Sequence, residues 1–129
     1  DLRLAADDAK LGSTFVKVGL VPGDGGAFFL ARTIGFPRAL ELMLTGRLVQ
    51  GAEALALGLV HEIVPGDRLL ARARELAAQI AALPKTAVQL TKRAAYRSWP
   101  GDQAAALELA ATYQGIAQNL PEHRQVLGD

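Results

Sequence analysis

The run Gly19-Leu20-Val21-Pro22-Gly23-Asp24-Gly25-Gly26 holds the residue types best suited to chemistry in this chain. Its glycines allow backbone conformations and close approaches that a side chain would forbid. The amides opening the helix predicted beyond Gly26 suit a carbonyl or negatively charged oxygen. Asp24 supplies a carboxylate at that helix start, where the dipole favours its charge whether it stabilises the helix or transfers a proton. The run is not a phosphate loop, because no Lys-Ser/Thr follows, and it does not keep the G-x-G-x-x-G spacing of dinucleotide sites. Taken alone, a glycine-rich turn into a helix is more often structural than catalytic.

Other reactive side chains are sparse. His61 and His123 are the only histidines, and neither has a second ligand at helical spacing, so no metal site is expected. His61, next to Glu62 in a predicted strand, reads as an edge or interface residue, and His123 as a solvated or interface one. Ser13 and Ser98 lack the G-x-S-x-G context of a hydrolase nucleophile. Thr91-Lys92-Arg93 reads as a solvated basic face. Phe15, Phe28 and Phe29 suit core packing first and an apolar pocket second. There is no cysteine, which excludes disulfides, thiolate zinc sites and cysteine nucleophiles.

The elements that must hold these residues are mixed α/β. Leu2, Leu4 and Ala6 alternate as a short strand, and Leu11 to Val21 is rich in β-formers before Pro22-Gly23. Dense apolar residues over 27–34 and 37–44 predict two short helices divided by Gly35, with Pro37 at a helix start and Gly46 at a helix end. A further helix over 50–57 closes at Gly58, and Leu59 to Val64 returns to strand character. Beyond Pro65-Gly66 the pattern is helical: Leu69, Leu70, Ala73, Leu76, Ala77 and Ile80 share a stripe up to Pro84. Helices over 86–97 and after Pro100-Gly101-Asp102 follow. Gly66 is read as a change of architecture within one unit.

The 129 residues carry 14 Lys+Arg against 13 Asp+Glu, a globular balance that gives no long-range field for nucleic acid or acidic lipid. No apolar run approaches the ~20 residues that span a bilayer, and no leader-like segment is visible. A cytoplasmic protein without nucleic-acid or membrane partners is the expectation.

The order of motifs resembles the crotonase superfamily, the enoyl-CoA hydratase/isomerase family, across nearly the whole chain. Its D-[IL]-R-[IL]-A-A-x-x-A-x-[FL]-G is matched from Asp1 to Gly12 and its GL-[IV]-P-G-x-GG from Gly19 to Gly26. L-x-R-x-[IV]-G is matched from Leu30 to Gly35 and A-x-E-[LM]-x-LTGR from Ala39 to Arg47. A-x-E-A-x-x-x-GLV is matched from Gly51 to Val60, with Gly51 for the leading Ala.

The resemblance implies the C-terminal part of a ββα spiral over 1–66 and a helical trimerisation region over 67–129, often assembled as a dimer of trimers. It implies an acyl-CoA thioester as ligand, fatty-acid metabolism as setting, and no separate cofactor, since coenzyme A is part of the substrate. Family chemistry uses two backbone N–H donors that hold the thioester oxygen while enolate-like charge develops. Their segments, A-F-[SC]-A-G-x-D and GGG, would lie upstream of Asp1, and the F-x-E-K-R-x-P-x-F tail is not matched either. A fragment of this kind is expected to be inactive alone, to expose a strand edge and to self-associate. One of the two hydratase glutamates falls on Phe15, and an acid used by some isomerases and dehalogenases falls on Gly23. Asp24 is therefore the catalytic candidate, with Phe15, Leu20, Pro22, Gly23, Gly25 and Phe28 as substrate-binding candidates. A non-catalytic acyl-CoA-binding or oligomerisation module is the alternative.

Overall fold

The computed structural model describes residues 1–128. They divide into two compact units, Asp1–Arg74 and Glu75 onward, the division falling within a helix. The first unit opens with β1 (Leu4–Ala6) and β2 (Lys10–Leu11). The strand character expected through Val21 is not realised. β2 stops at Leu11, and Phe15–Val18 forms a 3-10 turn closed by Gly19 at φ 72°, with the Leu20 amide donating to the Phe15 carbonyl at 3.0 Å. β-branched residues favour strands where a pleated surface packs them. Here Val16, Val18, Leu20 and Val21 are all exposed and have no such surface.

Two helices follow, α1 (Gly26–Ile34) and α2 (Phe36–Thr45). Gly35, at φ 85°, separates them, and Pro37 sits in the first turn of α2, where a missing N–H costs nothing. Gly46 caps α2 in the left-handed conformation, its amide donating to the Leu42 carbonyl at 2.9 Å. β3 (Val49–Gln50) then pairs antiparallel with β2, Leu11 facing Val49. This strand was not foreseen, because Gln50 reads locally as the start of the next helix, α3 (Gly51–Ala56). β4 (Glu62–Val64) returns to lie parallel to β1, with Ala5 opposite Ile63. The parallel ladder continues outward: the His61 amide donates to the Arg3 carbonyl at 2.7 Å and the Arg3 amide to His61 Nδ1 at 2.9 Å. His61 is thus an edge residue occupied by backbone bonding. Among the described residues, each two-stranded sheet has no third strand.

The core gathers on α2. Leu42 and Ala39 are fully buried, with Ile34, Met43, Val49, Ala54, Val60 and Ala5 around them. Outside this core Arg47 joins two elements, its Nε and one terminal nitrogen holding both oxygens of Glu41 at 2.7 and 3.1 Å while the other reaches Glu53 at 2.7 Å. The bond from Arg47 holds the Glu41 carboxyl below its ordinary range, and a bond from Arg72 at 2.8 Å does the same for Glu62.

The helical stretch begins with α4 (Leu69–Ala81), within which the two units divide. The second unit carries α5 (Lys85–Ser98), α6 (Gln103–Gln118) and α7 (Pro121–Leu127). Asp102 caps α6 by accepting the Ala105 amide at 3.0 Å. The Glu122 carboxylate accepts the Thr86 amide at 3.0 Å and its hydroxyl at 3.1 Å, tying α7 to the first turn of α5. The seven-residue α7 escaped the sequence reading; it is too short for periodicity to show, and its signals are Pro121 in its first turn and Gly128 beyond its end. No residue of α4 to α7 is fully buried. Among the described residues no helix is long and apolar enough to cross a membrane.

Truncating Leu42 to Ala leaves a cavity in the fully buried centre, with an expected loss of about 2–5 kcal/mol by denaturant unfolding; a loss under about 1 kcal/mol would mean that the core relaxes around it. Because the folded Glu41 and Glu62 values are depressed, their contribution is present above the unfolded glutamate value of about 4.3 and is lost as pH falls through the folded values. Unfolding measured down this acid limb should depend less on pH in Arg47→Met than in the parent chain.

Candidate functional site

A cavity of about 650 Å³ opens in the first unit between β1, the Leu11–Phe15 segment and one face of α1. Its walls are mainly apolar, with Leu11, Phe15, Phe29, Leu30 and Leu42 among them. The face of α1 is set by helical spacing: Gly26, Phe29, Leu30 and Thr33 stand at i, i+3, i+4 and i+7 and all line the cavity. Gly12 contributes to the wall through a close approach, since a Cβ there would lie 2.6 Å from the Arg47 carbonyl oxygen.

Polar side chains in the wall are few: Arg3, Ser13, Asp24 and Thr33. Asp24 Oδ1 accepts the Gly26 amide at 2.8 Å, so the carboxylate is held by its own turn at the head of α1. The turn requires glycine: Gly25 sits at φ 85°, and a Cβ on it would meet the Phe29 ring at 3.1 Å, while one on Gly26 would meet Asp24 Oδ1 at 2.9 Å. The Thr33 hydroxyl donates to the Phe29 carbonyl at 2.8 Å and is thereby engaged. Ser13 also lines the cavity; its Oγ is buried and has no hydrogen-bond partner among the described residues. No sequence signal marked Ser13, whose partnerless state exists only in the folded arrangement.

Of the seven candidates, Asp24 and Phe15 line the cavity, whereas Leu20, Pro22, Gly23, Gly25 and Phe28 do not. Phe28 is turned elsewhere, packed edge-to-face on Phe29 at 5.2 Å and carrying the Arg32 guanidinium 3.5 Å above its ring. Among the described residues no cluster of three His, Asp or Glu is arranged for a metal ion. The arrangement offers an apolar recess with one anchored carboxylate, suited to moving a proton on a largely hydrocarbon ligand.

Comparison with known proteins places these residues in context. Residues 1–125 match the family described as Enoyl-CoA hydratase/isomerase. The chain is 40% identical over 134 aligned positions to the mitochondrial Enoyl-CoA hydratase domain-containing protein 2 of Bos taurus, covering 99% of this chain and 44% of that protein. It is 42% identical over 99 residues to the Mycobacterium bovis protein named "Probable enoyl-CoA hydratase echA8", covering 77% and 38%. Among solved structures, the Enoyl-CoA Hydratase from Bacillus anthracis aligns with a TM-score of 0.96 at 34% identity, over 99% of this chain and 50% of that one. That of Geobacillus kaustophilus gives 0.95 at 32%, over 99% and 49%. The chain therefore spans roughly two fifths of the length of the curated relatives and half that of the solved chains.

Replacing Gly25 by Ala forces a side chain into the left-handed region against Phe29, with an expected cost of about 1–2 kcal/mol. Thermal unfolding checks this. Unchanged stability would mean that the turn re-forms without its positive φ.

Proposed function

Because the chain belongs to the enoyl-CoA hydratase/isomerase family, we propose that it forms the acyl-binding portion of an acyl-CoA enzyme in which Asp24 is the acid/base group. The supporting observation is a single one: an anchored carboxylate in the wall of a mainly apolar cavity, with Phe15, Phe29, Leu30 and Leu42 among its lining residues. The hydrocarbon walls suit an acyl chain. One oxygen of Asp24 is fixed by the Gly26 amide, which leaves the other to receive and return a proton. Phe15 stands where hydratases use one of their two glutamates, so that pair of acids is incomplete. This favours carbon-to-carbon proton transfer over water addition, which draws on two acids.

In this proposal the chain corresponds to the C-terminal portion of its relatives, as its motif order suggests. The two N–H donors for the thioester oxygen then come from segments that these 129 residues do not contain, so the chain alone does not turn over. Coenzyme A enters as part of the substrate. The second unit is assigned to assembly of a trimer or a dimer of trimers; its helices bury no residue fully and expose Leu107, Ile116, Val126 and Leu127.

A second reading, acyl-CoA binding without catalysis, is favoured by one observation, the hydrocarbon ring of Phe15 in place of a proton-transferring group. Asp24→Asn separates the two. In a protein that joins this chain to the donor segments, kcat should fall about 10²–10⁴-fold with KM little changed and the assembly intact by light scattering. Unchanged turnover would remove Asp24 from the mechanism, and retained butyryl-CoA binding without turnover in either form would favour the binding module.

A further inference from the structure

Among the described residues Ser13 is the one buried polar side chain, 8% exposed, and its Oγ has no hydrogen-bond partner there. Serine hydroxyls ordinarily close on neighbouring backbone as caps and turns, and this one does not. The residues that follow fold without it, the Lys17 amide donating to the Thr14 carbonyl at 3.0 Å. Its place is nevertheless fixed from both sides. Leu11 pairs with Val49 in the β2–β3 ladder, Gly12 leaves no room for a Cβ against the Arg47 carbonyl, and Phe15 opens the 3-10 turn. The other polar side chains of the cavity wall are engaged. Arg3 donates to the Leu59 and Gly58 carbonyls, Asp24 accepts the Gly26 amide and Thr33 donates to the Phe29 carbonyl. A buried hydroxyl that bonds nothing works against folding, so stability does not account for Ser13.

We propose that Ser13 is a specificity residue of the acyl cavity, hydrogen-bonding an oxygen carried on the body of the acyl group, so that oxygenated acyl chains bind in preference to plain hydrocarbon ones. This role rests on the acyl-binding reading and deepens it. In that reading the thioester oxygen is held by N–H donors from other segments and the reacting carbon is served by Asp24, which leaves Ser13 for carbons further along the chain. The hydroxyl both donates and accepts, so keto and hydroxyl oxygens suit it equally. Its Oγ is shielded from water as it stands. A turn about χ1 to another staggered well moves that one heavy atom alone, so the hydroxyl can follow a ligand oxygen while the wall stays in place. In a mainly apolar recess, one such group is enough to set a preference between ligands that differ by an oxygen.

Calorimetric titration of the chain with pentanoyl-CoA, 4-oxopentanoyl-CoA and 4-hydroxypentanoyl-CoA reads that preference, and hexanoyl-CoA against 5-oxohexanoyl-CoA tests an oxygen one carbon further out. At least one oxygenated ligand should bind about fivefold or more tightly than its plain counterpart, and Ser13→Ala should abolish the advantage while plain-acyl binding stays within about twofold. Thermal unfolding gives a second readout: Ser13→Ala should melt no lower than the parent chain, because no group in the fold loses a partner. Three results would overturn this role: no oxygenated ligand preferred, a preference that survives in Ser13→Ala, or a Ser13→Ala chain that melts lower or fails to fold, which would make the hydroxyl structural. Pentanoyl-CoA bound without any such preference removes the role of Ser13 and leaves the acyl-binding reading standing. Binding of none of these ligands would take down that reading and the role of Ser13 with it.

Discussion

Arg47 is the point on which the first unit depends. Its side chain bridges Glu41 at the end of α2 to Glu53 on α3, while its carbonyl oxygen occupies the space that a side chain at position 12 would need. One residue therefore fixes the exit of α2, the entry to the β2–β3 pair and the cavity wall at Gly12. Such a bidentate fork demands the planar guanidinium, which a lysine ammonium would not reproduce. The ion pairs are solvent-facing and modest as energy. Their weight is geometric: they join α2 to α3, and the buried Leu42 of α2 lines the cavity.

The cavity and the turn at Gly25 form one device. Asp24 is held by an amide from its own turn, and that turn closes only because two consecutive glycines leave room for its carboxylate and for the Phe29 ring. The same ring forms part of the apolar wall. Asp24 is exposed to solvent, and the Gly26 amide fixes the orientation of its carboxylate beside the apolar wall. Charge and hydrocarbon thus share one short stretch of backbone.

Punctuation by glycine and proline made the helices legible. Gly35, Pro37, Gly46, Gly58 and Pro84 each fall at or beside a helix boundary, because positive φ and a missing N–H are local properties that tertiary packing does not override. Strand content was less legible. Leu11 to Val21 has the composition of a strand but no partner in this fold, and Val49–Gln50 becomes one only because β2 lies alongside. The cavity was legible only in part: of the candidate residues Asp24 and Phe15 lie in its wall, and of the two neighbouring rings Phe28 and Phe29, read alike from the sequence as packing or pocket, only Phe29 does. The i, i+3, i+4, i+7 set counted from Gly26 would have chosen Phe29, since helical spacing puts the two neighbouring rings about 100° apart. Ser13 could not have been found this way, because the lack of a partner is a property of the assembled neighbourhood.

The pairing of β1 with β4 also sets an order in time. The two strands are parallel and meet across 58 positions, as the bond between Arg3 and His61 shows. While a chain is being made, β1 emerges well before its partner and waits as an unpaired, partly apolar segment until α1, α2 and α3 have followed. Closing so long a loop costs entropy before any ladder bond repays it. The helices and their glycine caps can form at once from local contacts, and the parallel pair locks last. In this fold a strand made 58 positions ahead of its partner is thus among the last elements to be paired.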